Sequence, residues 1–419
     1  MKIQSCFGGW LVMFAVAMDA GGAAAQAAGQ QTLKEAYKNH FLVGVAINRP
    51  TAMGNDAPAN NVNRTLEQVR QDTSVVLEQF NQLAPENDLK WEMIHPREGS
   101  NGYEFGPADA FVEFGVRHQM YLAGHTLVWH SQTPDWVFRG TNPPPALANA
   151  ASSSNTQAGA TLPRRRFGGS RGYSGPRASR EELLARMREH IHTVVGRYKG
   201  KIQCWDVVNE AISDAGTNVL RNSLWLEIIG PDFIAKAFEY AHEADPKAIL
   251  RYNDYGLENP AKRQKLISLI KSLQAQGVPV HAIGSQTHVT ASRPSYEDMD
   301  RTLTELASLG LPVHITELDV NGAQGGQAST SADISESAGR TQGGLVDDAN
   351  RRLAEQYANL FKLFIKHRDH VKMVTFWGVN DAVSWRANGK PLLFDGSNRP
   401  KPAFDSVIRV AAEANPTVQ

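Results

Sequence analysis

The sequence predicts an α/β fold of one kind, a single (β/α)8 or TIM barrel with long loops after strands three and seven. Three observations lead there. Short apolar, β-branched runs alternate with amphipathic helical patterns from Leu42 to Val379, and eight such runs can be read. The first run and its continuation, Gly44-Val-Ala-Ile-Asn-Arg-Pro, lack the glycine-rich phosphate turn that a doubly wound sheet usually carries. The C-terminal ends of the runs collect carboxylates, amides, histidines and tryptophans, where barrel enzymes keep their chemistry.

Strand one is expected over Leu42–Asn48, with Gly44 and Ala46 as small residues in a crowded interior. The next helix carries Leu66, Val69, Thr73, Val76, Leu77 and Phe80 on one face. Strand two is read as Leu83–Trp91, running into a polar end. Pro107 suits the first turn of a helix through Phe111 and Phe114, because its fixed φ is helical and its missing N–H has no helical partner there. Tyr121–Trp129 is strand three. Ser179 and Glu182 have the spacing of a capping box, for a helix bearing Leu184, Met187, Ile191 and Val194. Strand four is Ile202–Asn209, and helix Phe233–Ala244 leads to strand five, Ile249–Tyr255. Asn259-Pro260 opens the helix of Leu266, Ile270 and Leu273. Val280–Thr287 and Pro312–Leu318 are strands six and seven. A long helix with Leu353, Tyr357, Leu360 and Phe364 then precedes strand eight, Met373–Val379.

Lys plus Arg and Asp plus Glu are equal at 43 each, so nothing in the charge balance suits a polyanion such as nucleic acid. The N-terminus has the form of a secretory signal over residues 1–27: Lys2, the apolar run Trp10–Met18, and the small-residue pattern Ala25-Gln26-Ala27. That run is too short to span a bilayer, and no later apolar run is long enough. The chain is therefore expected to be exported, secreted or periplasmic, without a membrane partner in its mature form, and to act as a monomer. Cys6 lies in the leader, so Cys204 cannot form an internal disulfide and reads as a small core residue.

Residues 28–419 read as one catalytic domain, interrupted at about 141–180 and 322–344. The first interruption is rich in Pro, Ser, Ala and Gly and holds Arg164-Arg165-Arg166; the second is rich in Gly, Ser, Ala and Thr. Their composition reads as insertions with little role.

Two strand ends matter most. Trp205-Asp-Val-Val-Asn-Glu and His314-Ile-Thr-Glu-Leu-Asp each lead to a carboxylate, Glu210 and Glu317, at the mouth of the sheet. Cleavage of a glycosidic bond needs such a pair: one carboxylic acid to protonate the leaving oxygen and one carboxylate to attack the sugar carbon. Residues two apart on a strand share a face. That parity groups Gln286 with His288, Glu317 with Asp319, and Glu86 with Asp88 and Lys90 beside Asn87. His125 and Trp129 are in phase on strand three; Trp377 closes strand eight and Trp385 follows on its loop. Any one of these is ordinary alone, since a lone Glu is usually an edge charge and a lone Trp is usually core. Charged groups are seldom buried unpaired, so six strands converging on one mouth indicate a shared site.

The motifs Glu86-Asn-Asp-Leu-Lys-Trp, Gly124-His-Thr-Leu-Val-Trp-His, Trp205-Asp-Val-Val-Asn-Glu, Gly284-Ser-Gln-Thr-His, His314-Ile-Thr-Glu-Leu-Asp and Trp377-Gly-Val-Asn-Asp, with Trp385 beyond, resemble glycoside hydrolase family 10. Those enzymes are mainly endo-1,4-β-xylanases, and the likeness runs from about Leu42 to Phe404. The resemblance implies Glu210 as general acid/base and Glu317 as nucleophile of a retaining reaction on xylan or xylo-oligosaccharides. It implies that Asn209 bonds a sugar 2-hydroxyl, that His288 contacts Glu317, and that Asp319 orients His288. His125, Trp129, Gln286 and Trp385 would line the reacting subsite. Glu86, Asn87, Lys90, Gln132 and Trp377 would hold the next sugar toward the non-reducing end.

A retaining course implies carboxylates about 5–5.5 Å apart. At that range the charge of Glu317 should raise the pKa of Glu210, while Lys90 and the histidines keep Glu317 ionised. No cofactor or metal is expected. The loop after strand three departs from the family by being longer and more basic, and the sharper reading of it has Arg164, Arg165 and Arg166 meeting acidic sugar substituents; residues 322–344 are low in aromatics and are assigned no sugar contact. No carbohydrate-binding module is recognised. A metal-dependent barrel hydrolase would need clustered ligands such as His-X-His, where strand one offers Ile47-Asn48-Arg49. A non-catalytic xylan-binding barrel should lack one carboxylate. A β-1,4-glucan-active hydrolase of the same fold is the remaining alternative.

Overall fold

A computed structural model of the chain describes residues 31–56, 64–142, 173–322 and 344–414. The expected leader, Arg164-Arg165-Arg166 and most of the segments 141–180 and 322–344 lie outside the described residues. Among those described, eight parallel strands close into a barrel: β1 Leu42–Ile47, β2 Gln82–Pro85, β3 Tyr121–Gly124, β4 Cys204–Asn209, β5 Ile249–Asp254, β6 Ala282–Ser285, β7 Val313–Asn321 and β8 Val371–Phe376. Each pairs with its sequence neighbours, and β8 closes the ring by pairing with both β1 and β7. A helix follows every strand: α1 Leu66–Gln79, α2 Gly106–Arg117, α3 Arg180–Arg197, α4 Phe233–Ala244, α5 Pro260–Ala275, α6 Tyr296–Ala307, α7 Gly344–Lys366 and α8 Pro402–Ala414.

The local chemistry explains the helix starts. Ser179 Oγ accepts from Glu182 N at 3.1 Å and Glu182 Oε2 accepts from Ser179 N at 2.6 Å, closing the expected capping box on α3. Thr65 and Gln68 make a second one on α1, and Asn259 accepts from Ala261 N and Lys262 N at the start of α5. Two of these eight helices were not anticipated from the sequence. In α6, Met299, Leu303 and Leu306 are buried, and in α8 so are Phe404, Val407, Val410 and Ala411. Leu66, expected on the inner face of α1, is instead exposed at the first position of that helix.

The barrel interior is packed with polar groups as well as apolar ones. A Cβ on Gly44 would sit 1.5 Å from Gln82 Oε1, so only glycine fits beside that side chain. Gln82 Oε1 in turn accepts from Thr375 Oγ1 on β8 at 2.7 Å. Arg251 on β5 donates to Asp206 on β4 at 2.7 and 3.0 Å and lies 3.1 Å from His314 Nδ1 on β7. One side chain reaching three strands in this way must cross the interior. Cys204 is a buried free thiol, as its flanks suggested. Among the described residues no helix is long and apolar enough to cross a membrane.

The strands differ from expectation at the mouth of the barrel. Strand two ends at Pro85, and Trp91 opens a short helical turn, Trp91–Ile94. Strand three breaks after Gly124 and resumes as Val128–Trp129 beside β4. Strand six stops at Ser285; Thr287 has φ +56°, and His288–Thr290 then pairs with the last residues of β7. That extra pairing lets β7 run on to Asn321, so Glu317 lies within the strand and not at its end.

Candidate active site

Glu210 follows the last residue of β4 with φ +58°, a left-handed conformation that is costly for a residue with a side chain and persists only where neighbours enforce it. Its N–H donates to Asn253 O at 2.9 Å and its carbonyl accepts from Arg221 Nε at 3.0 Å. The turn aims the carboxylate at two donors, Trp129 Nε1 at 2.9 Å on Oε2 and Gln286 Nε2 at 3.0 Å on Oε1. Glu317 is placed by a register shift in β7 between Ile315 and Leu318. Successive residues Thr316 and Glu317 both reach Asn253, which a flat strand would not allow.

The two carboxylates are joined by a buried amide chain. Gln286 Nε2 bonds Glu210 Oε1 and Asn209 Oδ1, and Asn253 Nδ2 bonds Asn209 Oδ1 and Glu317 Oε1, at 2.8–3.2 Å. Because Asn209 Oδ1 takes both of those donors, its Nδ2 is left as a buried donor without a partner among the described residues. That free N–H points to a hydroxyl supplied from outside the protein.

On the other side of Glu317, His288 Nε2 lies 3.2 Å from Oε2 and His288 Nδ1 lies 3.0 Å from Asp319 Oδ2. Asp319 also accepts from Trp385 Nε1 at 2.8 Å and Arg386 Nη1 at 2.9 Å. Burial pushes the imidazole of His288 toward neutrality, but the charges of Asp319 and Glu317 outweigh it and lift its pKa to about 9. His288 is therefore a cation near neutral pH, and both of its ring nitrogens donate.

Electrostatics separate the two acids. Burial raises the pKa of Glu210; Asp254 and then Glu317 add to the rise, against the hydrogen bonds from Gln286 and Trp129. Glu317 raises it as expected, but loss of solvent is the larger cause and Asp254 contributes more than Glu317. Burial also pushes Glu317 up, but the hydrogen bond from His288, with His125 adding to the effect, brings it below the ordinary carboxylate value. The site thus moves the two acids in opposite directions, favouring the proton on Glu210 and the charge on Glu317.

The remaining predicted residues surround this pair. His125 Nδ1 bonds Asp206 Oδ2 at 3.0 Å, and its ring meets that of Trp377 edge-on at 5.2 Å between centroids. Lys90 Nζ donates to Asn87 Oδ1 at 2.9 Å and Gln132 Oε1 at 3.0 Å, and sits 5.1 Å from the Trp129 ring centroid. Burial lowers the pKa of Lys90, opposed by Glu317, Glu86 and Glu210, so all three carboxylates lie within its field. The parity argument fails for Asp88. The chain turns after Pro85, so Asp88 pairs with Arg49 at 2.6 Å and does not share a face with Lys90. Arg221, which bonds the Glu210 carbonyl, also lines a groove of about 530 Å³ together with Tyr173, Arg177, Asp214, Asn222 and Glu227 among others.

The model of glycosyl hydrolase family 10 matches residues 32–410. The chain belongs to that family. An endo-1,4-β-xylanase from Geobacillus stearothermophilus is 36% identical over 390 residues, covering 90% of this chain and 98% of that one. Exoglucanase XynX from Acetivibrio thermocellus is 35% identical over 395 residues, covering 92% of this chain and 30% of that one. Among solved structures, xylanase XynB from Paenibacillus barcinonensis superposes with a TM-score of 0.72 at 33% identity, covering 91% of this chain and 99% of that one. A mutant of the intracellular xylanase TsXylA from Thermoanaerobacterium saccharolyticum, solved with xylotriose, gives 0.70 at 34% identity, covering 91% and 99%.

Family 10 membership makes the chain a glycosidase, and its mouth holds groups that the sequence reading passed over. Asn253 bonds both Asn209 and Glu317; the polar end of the fifth strand, Tyr252-Asn-Asp-Tyr, was the available signal. Asp206 fixes His125 and is itself held by Arg251, which brings its pKa down to about 2 against the effect of burial. Its place within the Trp205–Glu210 motif was visible, but its partner on the next strand was not.

Proposed function

We propose that this chain is a retaining endo-1,4-β-xylanase that cleaves internal β-1,4-xylosidic bonds of xylan through a covalent glycosyl-enzyme intermediate. The observation that carries the reading is the opposed pair: the pKa of Glu210 is raised by its surroundings, while that of Glu317 is lowered beside the cation His288. In the first step Glu317 attacks the anomeric carbon, the glycosidic bond breaks, and the leaving oxygen takes the proton of Glu210. The ester removes the charge of Glu317. Glu210, now the base, takes a proton from water as that water attacks the anomeric carbon and releases Glu317. The unpartnered Nδ2 of Asn209 supplies a hydrogen bond to the sugar 2-hydroxyl.

Trp385 and Trp377 offer flat apolar faces to pyranose rings, and Glu86, Asn87, Lys90 and Gln132 fix hydroxyls of the next sugar toward the non-reducing end. The groove lined by Tyr173 and Asp214 takes the leaving-group sugars. Residues 1–27 act as an export signal, so the enzyme works in a periplasm or outside the cell, as a monomer; Lys2, Trp10–Met18 and Ala25-Gln26-Ala27 support this. An exported product beginning at Ala28 supports that part, and an intact chain retained in the cytoplasm overturns it.

Incubation with xylan and a count of new reducing ends tests the activity, with NMR of the first-formed anomer testing retention. No release favours a binding protein, and an inverted anomer removes the covalent step. A relative named exoglucanase gives the glucan reading a specific basis. Xylose lacks the hydroxymethyl of glucose, and one small group shifts binding by only about 1–3 kcal/mol. Weak side activity on glucose-based aryl glycosides is expected, with a clear preference for xylan; comparable rates on soluble cellulose derivatives overturn that preference.

A further inference from the structure

The left-handed turn at Glu210 is held from behind by a second carboxylate that the reaction above does not use. Asp254, the last residue of β5, is fully buried. Its Oδ2 accepts from Ile212 N at 3.2 Å, two residues beyond Glu210, and from Tyr252 Oη at 2.8 Å. Tyr252 Oη in turn accepts from Ala211 N at 2.9 Å, so both residues after Glu210 hang on this pair. On the other oxygen, Asp254 Oδ1 accepts from its neighbour Tyr255 N at 2.9 Å and pairs with Lys262 Nζ at 2.9 Å. Three neutral donors and one ammonium converge on this carboxylate.

Lys262 comes from the first turn of α5, is buried, and lies 3.4 Å from the Tyr255 ring centroid. It also bonds Asp214 Oδ1 at 2.8 Å, on the loop that borders the leaving-group groove. Other charged or titratable groups face Glu210 from every side: Glu317 on β7, Lys90 after β2, Arg221 after β4 and Tyr255 after β5. Lys90 and Arg221 favour the ionised form of Glu210, while Glu317 and Asp254 oppose it.

We propose that Asp254 is a positioning residue for the acid/base, its buried charge setting the pH at which Glu210 gives up its proton, and that Lys262 is the counter-charge limiting that effect. This rests on the reading of Glu210 as acid/base. Asp254 acts without touching the substrate, through the turn it ties down and the field it projects. It also acts in every phase of the cycle, whereas the charge of Glu317 disappears when the ester forms. Asp254 keeps its charge then, and so makes Glu210 a stronger base toward water in the second step.

The test is the pH profile of kcat/KM on a xylo-oligosaccharide for wild type, Asp254→Asn and Lys262→Met. Removing the negative charge moves the basic limb to lower pH. Removing the positive charge leaves Asp254 less compensated and moves the same limb to higher pH. A limb displaced by about one pH unit reads as about a tenfold change in kcat/KM on the alkaline side. A merely structural role lowers activity at every pH and moves neither limb in this paired way. Should Asp254→Asn not fold, as judged by thermal unfolding, Lys262→Met carries the sign test alone.

The same profiles on an activated aryl xylobioside separate two failures. If the wild-type basic limb is as steep there, where little protonation is needed, the limb does not belong to Glu210 and the acid/base reading fails. If the limb is confined to the oligosaccharide and the variants leave it in place, or move it the same way, the role of Asp254 and Lys262 alone is overturned.

Discussion

Asn253 Nδ2 donates to Glu317 Oε1 at 2.8 Å while its Oδ1 accepts from Thr316 Oγ1 at 2.7 Å, so the threonine fixes which end of the amide faces the nucleophile. Asn253→Asp keeps the shape, removes that donor and sets a like charge against Glu317. The acid limb of kcat/KM is expected to move to higher pH, and kcat to fall about 100-fold, the usual cost of losing one donor at a reacting centre. An acid limb identical to wild type would remove Asn253 from the site's electrostatics.

Replacing either carboxylate separates the two roles. Glu317→Ala abolishes the covalent step, so turnover drops by on the order of 10⁴-fold or more on every substrate. Glu210→Ala costs about 10²–10⁴-fold on xylan but less in the first step on a substrate whose leaving group needs little protonation. Equal losses on both substrate types contradict the assignment.

The charge on His288 links folding to pH. Its folded pKa of about 9 lies above the ordinary 6.5, so its stabilising effect is complete below pH 6.5 and is lost as pH rises through about 9. Thermal unfolding should show the wild type losing a few kcal/mol across that window. His288→Gln, already uncharged, should start lower and lack that slope. Parallel curves for the two proteins between those pH values would exclude the ion pair as the cause.

Tyr173 and Arg177, near the end of the long third loop, border the groove that Arg221 and Asp214 also line. Tyr173 Oη bonds Pro176 O at 2.9 Å, and the Arg177 guanidinium lies 5.3 Å from its ring centroid, so the pair forms one edge of that groove. Tyr173→Ala is expected to raise KM for xylohexaose several-fold, as a lost sugar contact does, while leaving an aryl xylobioside within about twofold. If both substrates suffer alike, the loop edge supports the fold and not the leaving-group sugars.

What the sequence disclosed depended on how local each signal was. The strand–helix alternation and the Ser179–Glu182 cap are local, and both survive in the structure. Parity put Glu317 and Asp319 on one side, where both meet His288, but it lost meaning after Pro85, Gly124 and Ser285, where the chain turns to re-aim side chains at the mouth. Asn253 and Asp254 escaped notice because their work is done across β4, β5 and β7, a relationship no spacing along the chain can express. Helix α6 was legible in principle from Ser295 three residues before Asp298 and from Met299, Leu303 and Leu306.

Asp319 gathers His288, Trp385 and Arg386 onto one carboxylate. The tryptophan that would cradle the sugar and the imidazolium that steadies the nucleophile therefore share a single anchor. A change at that position cannot weaken grip and spare chemistry, or the reverse. Selection acting there has to treat affinity and turnover as one trait, which leaves residues farther along the cleft as the places where substrate range can drift alone.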